Sequence, residues 1–83
     1  MKVLYFAWLR ERAGVAHETV SPPAAINTVA KLLDWLKQRS PRHAEALADL
    51  RVVRVAVNEE YAMAEDAVGP NDEIALFPPV TGG

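Results

Sequence analysis

The sequence closes on Gly82-Gly83, and its last six residues begin with a Pro78-Pro79 pair. Glycine brings no side-chain chemistry. What this end offers is the α-carboxylate of Gly83 on a slim arm, because neither glycine has a Cβ to obstruct a narrow channel. Fully extended, residues 78–83 reach roughly 20 Å. Pro78 and Pro79 fix φ and remove two backbone donors, so they stop a preceding strand and set the arm in an extended direction. A frayed terminus is the plain alternative. A stiff base with a slim tip suits insertion better. The expectation is that Pro78, Pro79, Val80, Thr81 and Gly82 form an inserting tail. The reactive group is then the carboxylate of Gly83, offered to another protein's active site.

The other residues with chemical potential are less promising. His17 and His43 stand apart without metal-ligand spacing and read as surface histidines, so no metal site is expected. Glu59-Glu60 and Glu65-Asp66 read as solvated loop charges. Ser21 and Ser40 adjoin prolines and show no histidine partner in the sequence. There is no cysteine, which excludes disulfides, thiolate metal sites and cysteine nucleophiles. There is no glycine-rich phosphate loop.

Eighty-three residues make one small domain, with a modest core and little room for a deep catalytic pocket. A formal net charge of −2 argues against a nucleic-acid binder and against a polybasic membrane patch. Residues 3–9 are apolar but too few for a secretory leader, and no small-residue cleavage site follows. A cytoplasmic location is the expectation.

The elements that must position the tail follow from pattern. Residues 3–9, rich in β-branched and aromatic side chains, read as a strand. Residues 10–14 read as a turn with Gly14 at positive φ, and residues 16–21 as a returning strand. Asn27 or Thr28 can cap a helix in which Val29, Leu32, Leu33 and Leu36 form an apolar stripe. Lys37 and Arg39 suit its last turn and Pro41 its stop. Residues 44–50 suggest a second, short helix. Residues 52–57 read as a strand, 58–60 as a turn and 61–64 as a short strand. Gly69-Pro70-Asn71-Asp72 is a turn signal, and 73–77 is the last strand. The order β-β-α-β-(β)-β lets the first and last strands lie parallel at the centre of a mixed sheet with one main helix across it. This is an α+β, β-grasp (ubiquitin-like) arrangement, with residues 1–77 as the domain and 78–83 as the tail.

Val3, Tyr5, Ala7 and Leu9 alternate with Leu4, Phe6 and Trp8, so both faces of the first strand read as apolar. A sheet covered on one side needs only one apolar face. Either the short helix and loops cover both faces, or these are scattered surface apolar residues, or the second face is a docking patch of Phe6, Tyr61 and Phe77 near the base of the tail.

The run Gly69-Pro70-Asn71-Asp72-Glu73-Ile74-Ala75-Leu76 followed by Phe77-Pro78-Pro79-Val80-Thr81-Gly82-Gly83 closely resembles the C-terminus of the molybdopterin synthase small-subunit family of sulfur carriers. Lys2-Val3-Leu4-Tyr5-Phe6-Ala7 and then Leu9-Arg10-Glu11-Arg12-Ala13-Gly14 resemble that family's first strand and turn. The resemblance runs over essentially the whole chain, with little that is family-specific in residues 21–50. It implies that the chain is no enzyme alone and binds no cofactor. An E1-like adenylyltransferase would use ATP to adenylate Gly83, and a sulfur donor enzyme would convert the adenylate to a thiocarboxylate. The tail would then enter the large catalytic subunit of a heterotetramer, where sulfur passes to cyclic pyranopterin monophosphate. By similarity Phe6, Arg10, Tyr61 and Phe77 face that large subunit, with Tyr61 standing where an aliphatic residue is expected. The competing readings are a carrier for thiamine or another sulfur pathway, a ubiquitin-like modifier of lysines, and a plain interaction domain.

Overall fold

A computed structural model of the chain describes residues 1–79. Val80, Thr81, Gly82 and Gly83, assigned above to the tail, lie outside the described residues.

The first strand, β1, runs Lys2–Tyr5, shorter than residues 3–9 suggest. It ends because Ala7 adopts φ 53, ψ −134, while the Leu9 N–H donates to the Phe6 carbonyl at 3.1 Å. The backbone turns there and enters helix α1, Trp8–Ala13. The turn expected over 10–14 is therefore mostly helix. Leu9 and Ala13, four apart, are its buried stripe. Gly14 does take positive φ, at 82°, and its N–H closes the helix on the Arg10 carbonyl at 2.9 Å. Strand β2, His17–Thr19, returns antiparallel to β1.

Helix α2, Val29–Lys37, buries Val29, Leu32, Leu33 and Leu36 as the stripe requires. Thr28 is its cap, the Oγ1 accepting from the Lys31 N–H at 3.3 Å. Arg39 falls beyond the helix and lies over the Trp35 ring at 5.0 Å. Pro41, expected only as a stop, opens helix α3, Pro41–Ala46, so the second short helix starts three residues before the expected 44. Proline suits a first helical turn because its missing N–H has no partner there anyway. A 3-10 turn, Leu50–Val52, replaces the expected start of the next strand. Strand β3 is Arg54–Val57, β4 is Glu60–Ala62 and β5 is Glu73–Phe77.

The sheet order is β2-β1-β5-β3-β4. β1 and β5 pair in parallel at the centre, and the other pairs are antiparallel. Successive side chains leave a strand on opposite faces. Val3 and Tyr5 of β1, Ile74 and Leu76 of β5 and Val55 of β3 point to one face. There they pack with Leu9, Leu32, Leu33, Leu36 and Leu47 in a single buried cluster. The helices cover that face only. Leu4, Phe6, Ala75, Phe77, Ala56 and Tyr61 alternate with this set on the opposite face, where Phe6 and Tyr61 are exposed. The patterning of β1, apolar on both sides, thus records a core face and an open face. Trp8 and Leu9 belong to α1 and to neither.

Candidate functional site

The open face gathers three aromatic rings around the end of β5. The Phe6 N–H donates to the Leu76 carbonyl at 3.0 Å, so the parallel β1/β5 ladder runs one residue past β1 and sets Phe6 beside Phe77. Phe77 meets Tyr61 across the intervening strand β3, ring centroids 5.7 Å apart at 60°. Phe6 is 48% exposed and Tyr61 74%, while Phe77 is half-buried. Aromatic side chains leave much apolar area wet at such exposures, and a cluster of them marks a docking surface better than one alone does. Pro78 and Pro79, both half-buried, follow Phe77 directly. The base of the tail therefore leaves the middle of the sheet beside this cluster.

The structure brings Phe6, Tyr61 and Phe77 together. Arg10 is exposed on α1, the helix that begins two residues after Phe6, and no hydrogen bond or ion pair holds its side chain among the described residues. Glu59, Glu60, Glu65 and Asp66 are exposed, as read above. Sequence reasoning missed Arg54. It pairs in register with Phe77 and so shares the open face.

It also missed a buried polar network on the covered side. His43 is only 9% exposed, against the surface position expected for it. Its Nε2 lies 2.7 Å from Glu18 Oε2 and its Nδ1 2.7 Å from Ser40 Oγ, so Ser40 does have a histidine partner. The Tyr5 hydroxyl donates to the same Glu18 oxygen at 2.6 Å, and Arg39 stands 3.6 Å from the other. Burial, the Glu18 hydrogen bond and the Glu18 charge hold the Tyr5 hydroxyl far above its ordinary range. For Glu18, burial alone would raise the pKa. Hydrogen bonds from Tyr5 and His43 and the nearby positive charge outweigh it, and the carboxyl is held below its ordinary value. Serine, histidine and carboxylate in a row resemble a nucleophile triad. Here Ser40 Oγ is already the cap of α3, accepting the His43 N–H at 3.1 Å. The network ties α3 to β1 and β2. A signal existed in the Ser40–His43 spacing, which is that of a helix cap. Nothing local pointed to Glu18.

No group of three or more metal-ligating side chains occurs among the described residues. No helix there is long and apolar enough to cross a membrane.

A five-stranded mixed sheet with its first and last strands parallel at the centre and helices on one face defines a β-grasp protein of the ubiquitin-like class. The chain belongs to the ThiS family, whose model matches residues 3–83. It is 41% identical over 87 residues to the human molybdopterin synthase sulfur carrier subunit, covering 100% of this chain and 93% of that protein. Among solved structures it is similar to a molybdopterin converting factor, subunit 1, from Pyrococcus furiosus, with TM-score 0.79, 31% identity and 95% of each chain covered. It is also similar to SAMP1 from Haloferax volcanii, with TM-score 0.73, 33% identity and 100% and 98% of the two chains covered.

Proposed function

We propose that the chain is the sulfur carrier subunit of a molybdopterin synthase and carries sulfur on the carboxylate of Gly83. The observation that carries this reading is the full-length likeness to the human sulfur carrier subunit at 41% identity. The geometry supports it. Central strand β5 delivers Pro78-Pro79 beside an exposed aromatic cluster, so a partner that grips Phe6, Tyr61 and Phe77 also aims whatever follows Pro79. Arg10 extends the partner-facing set on α1. The large catalytic subunit of the synthase is the partner, in a heterotetramer of two small and two large subunits.

A carboxylate at neutral pH is a poor electrophile. An E1-like adenylyltransferase uses ATP to place AMP on the Gly83 carboxylate, releasing pyrophosphate. A sulfur donor enzyme then supplies sulfur at the oxidation level of sulfide, which displaces AMP from the acyl carbon, and a thiocarboxylate remains. Its sulfur attacks cyclic pyranopterin monophosphate inside the large subunit, and water then cleaves the acyl–sulfur bond, which leaves the sulfur on the pterin and returns the Gly83 carboxylate. This chain contributes reach and position, converting a bimolecular encounter into a held one. The likeness to SAMP1, whose fuller name is small archaeal modifier protein 1, keeps a second reading open, in which Gly83 is joined to protein lysines.

The test is to incubate the chain with ATP, the activating enzyme and a sulfur donor and to weigh the intact protein. A gain equal to sulfur replacing oxygen at Gly83, followed by its loss on adding the large subunit and pyranopterin, supports the carrier reading. Conjugates of higher mass without thiocarboxylate would overturn it in favour of the modifier reading.

A further inference from the structure

The open face carries a cation that the described residues leave without a counter-charge. Arg54 opens β3 opposite Phe77 in register, so its side chain leaves the sheet on the face of the aromatic cluster. Its Nη1 donates to the main-chain carbonyl of Arg51 at 3.0 Å and to that of Val53 at 3.4 Å. These contacts hold the guanidinium in place without neutralising it. Among the described residues Arg39 is ion-paired with Glu18, which also bonds His43, and Arg51 is ion-paired with Asp49. Arg54 is in none of these contacts. Its Nε and Nη2 donate to no group among the described residues, which leaves a guanidinium edge of the shape that grips a carboxylate through two parallel bonds.

The charge of the whole chain is arranged to match. Glu59, Glu60, Glu65, Asp66, Asp72 and Glu73 all fall in residues 58–73, a segment with no lysine, arginine or histidine. Glu59, Glu60, Asp72 and Glu73 stand around the β3–β4 turn, Glu65 and Asp66 follow the other end of β4, and none is ion-paired among the described residues. The remaining residues therefore carry a net positive charge, although the chain is −2 overall. Arg54 and Phe77 lie at one end of their strands, and the β3–β4 turn lies at the other. An acidic surface approaching this molecule is repelled from the turn and drawn to the end where the tail begins.

Resting on the docking reading above, we infer that the partner surface covering Phe6, Tyr61 and Phe77 is acidic at its rim and places a carboxylate against Arg54. The aromatic rings supply the desolvated centre of the contact, and Arg54 supplies its orientation and part of its association rate.

The experiment measures association and dissociation of the purified large subunit with the full chain, from low to high salt, for wild type and for Arg54→Ala, Arg54→Glu, Arg54→Lys and Phe77→Asp. Circular dichroism melts confirm that each variant is folded, as expected for exposed Arg54 and for Phe77 on the face away from the core. Wild-type association should slow as salt rises. Arg54→Ala should raise Kd about tenfold and flatten the salt dependence, and Arg54→Glu should do more. Arg54→Lys should keep the association rate but dissociate faster, because an ammonium cannot fork across a carboxylate. Should Arg54→Ala and Arg54→Glu bind as wild type while Phe77→Asp does not, the acidic rim is wrong and the docking face stands. Should Phe77→Asp also bind as wild type, the docking face itself is wrong, and the role given to Arg54 is overturned with it.

Discussion

The rings of Tyr61 and Phe77 meet edge-on, centroids 5.7 Å apart, although their strands are not neighbours in the sheet. β3 lies between them, with Ala56 opposite Tyr61 and Arg54 opposite Phe77, so the two rings meet diagonally across that strand. The pair is thus held by the sheet register rather than by the core. Edge-to-face aromatic pairs contribute about 0.5–1.5 kcal/mol beyond their buried area. That is enough to fix the orientation of the rings, and small beside what a partner could gain by covering them.

Replacing Phe77 with Asp therefore separates docking from folding. The core face of β5 is made by Ile74 and Leu76, both fully buried, and Phe77 points away from it. The variant should lose about 1 kcal/mol of stability, mostly from the Tyr61 contact and the poorer strand propensity of Asp. Binding to the large subunit should weaken by at least about 2 kcal/mol, the scale of an aromatic anchor. Urea denaturation and titration calorimetry read the two quantities. Unfolding of the variant at neutral pH would place Phe77 in the core and remove the docking patch.

The buried network makes stability depend on pH through Glu18. A carboxyl whose pKa is lower in the folded than in the unfolded state stabilises the fold fully above the unfolded value. That contribution is lost as pH falls through the folded value. The Glu18 pKa is held below its ordinary 4.5, so its contribution should be intact at neutral pH and should fade as the pH drops below that value. Glu18→Gln should keep an acceptor for the Tyr5 hydroxyl but show a flatter acid limb. Glu18→Ala should cost about 2–3 kcal/mol at neutral pH, because the Tyr5 hydroxyl and the His43 ring both lose a buried partner. Urea midpoints at several pH values decide this. Identical acid limbs for wild type and Glu18→Gln would show that the network does not carry the charge assigned to it.

A gain of stability is available at the β3–β4 hairpin. Asn58 and Glu59 both take positive φ, 52° and 69°, the pattern of a two-residue turn that prefers Asn-Gly. Asn58 suits its place, its side chain bonding Asp72 and the Glu73 N–H, each at 3.0 Å. Glu59 carries a Cβ where glycine fits better and adds a charge to an already acidic segment. Glu59→Gly should stabilise by about 0.5–1 kcal/mol, after allowing for the freer unfolded chain. The melting temperature should rise by a few degrees, as expected for a domain of this size. A fall would mean that the side chain of Glu59 makes a contact more valuable than the strain it brings.

Much of this fold was legible because it follows local rules. The stripe of α2, its Thr28 cap, the positive φ of Gly14 and the bounds of β5 all follow from spacing or turn chemistry. The parallel β1/β5 pairing follows from the order of the elements. Helix α1 was hidden because the apolar run of β1 continues through Trp8 and Leu9, and a six-residue helix with only Leu9 and Ala13 buried barely shows its period. The turn that separates the two depends on Ala7 at φ 53, a conformation alanine seldom adopts. The aromatic cluster could be nominated from β1 and β5 patterning. Arg54 could not, because only the register opposite Phe77 puts it there. Glu18, Ser40 and His43 come from different elements, and their meeting is a tertiary fact.

The tip of the tail gives the sharpest test of the proposed chemistry. Removing Gly83, or adding one residue after it, should leave stability unchanged, because glycine has no side chain to bury and the last residue of a chain contributes little to a domain's stability. Sulfur transfer should be abolished. One residue moves the reacting carboxylate by about 3.3–3.6 Å along an extended arm. A misplacement of about 1 Å can cost a hundredfold in rate. The same carboxylate must reach two active sites, that of the activating enzyme and that of the large subunit, so neither can adapt to the altered length without losing the other. Both variants should still bind the large subunit through Phe6, Tyr61 and Phe77, and so should compete with wild type for assembly. Intact-protein mass after incubation with ATP, activating enzyme and sulfur donor reads the first site, and molybdopterin formed per large subunit reads the second. If the shortened chain gains sulfur and supports molybdopterin formation at the wild-type rate, Gly83 is not the carrier group.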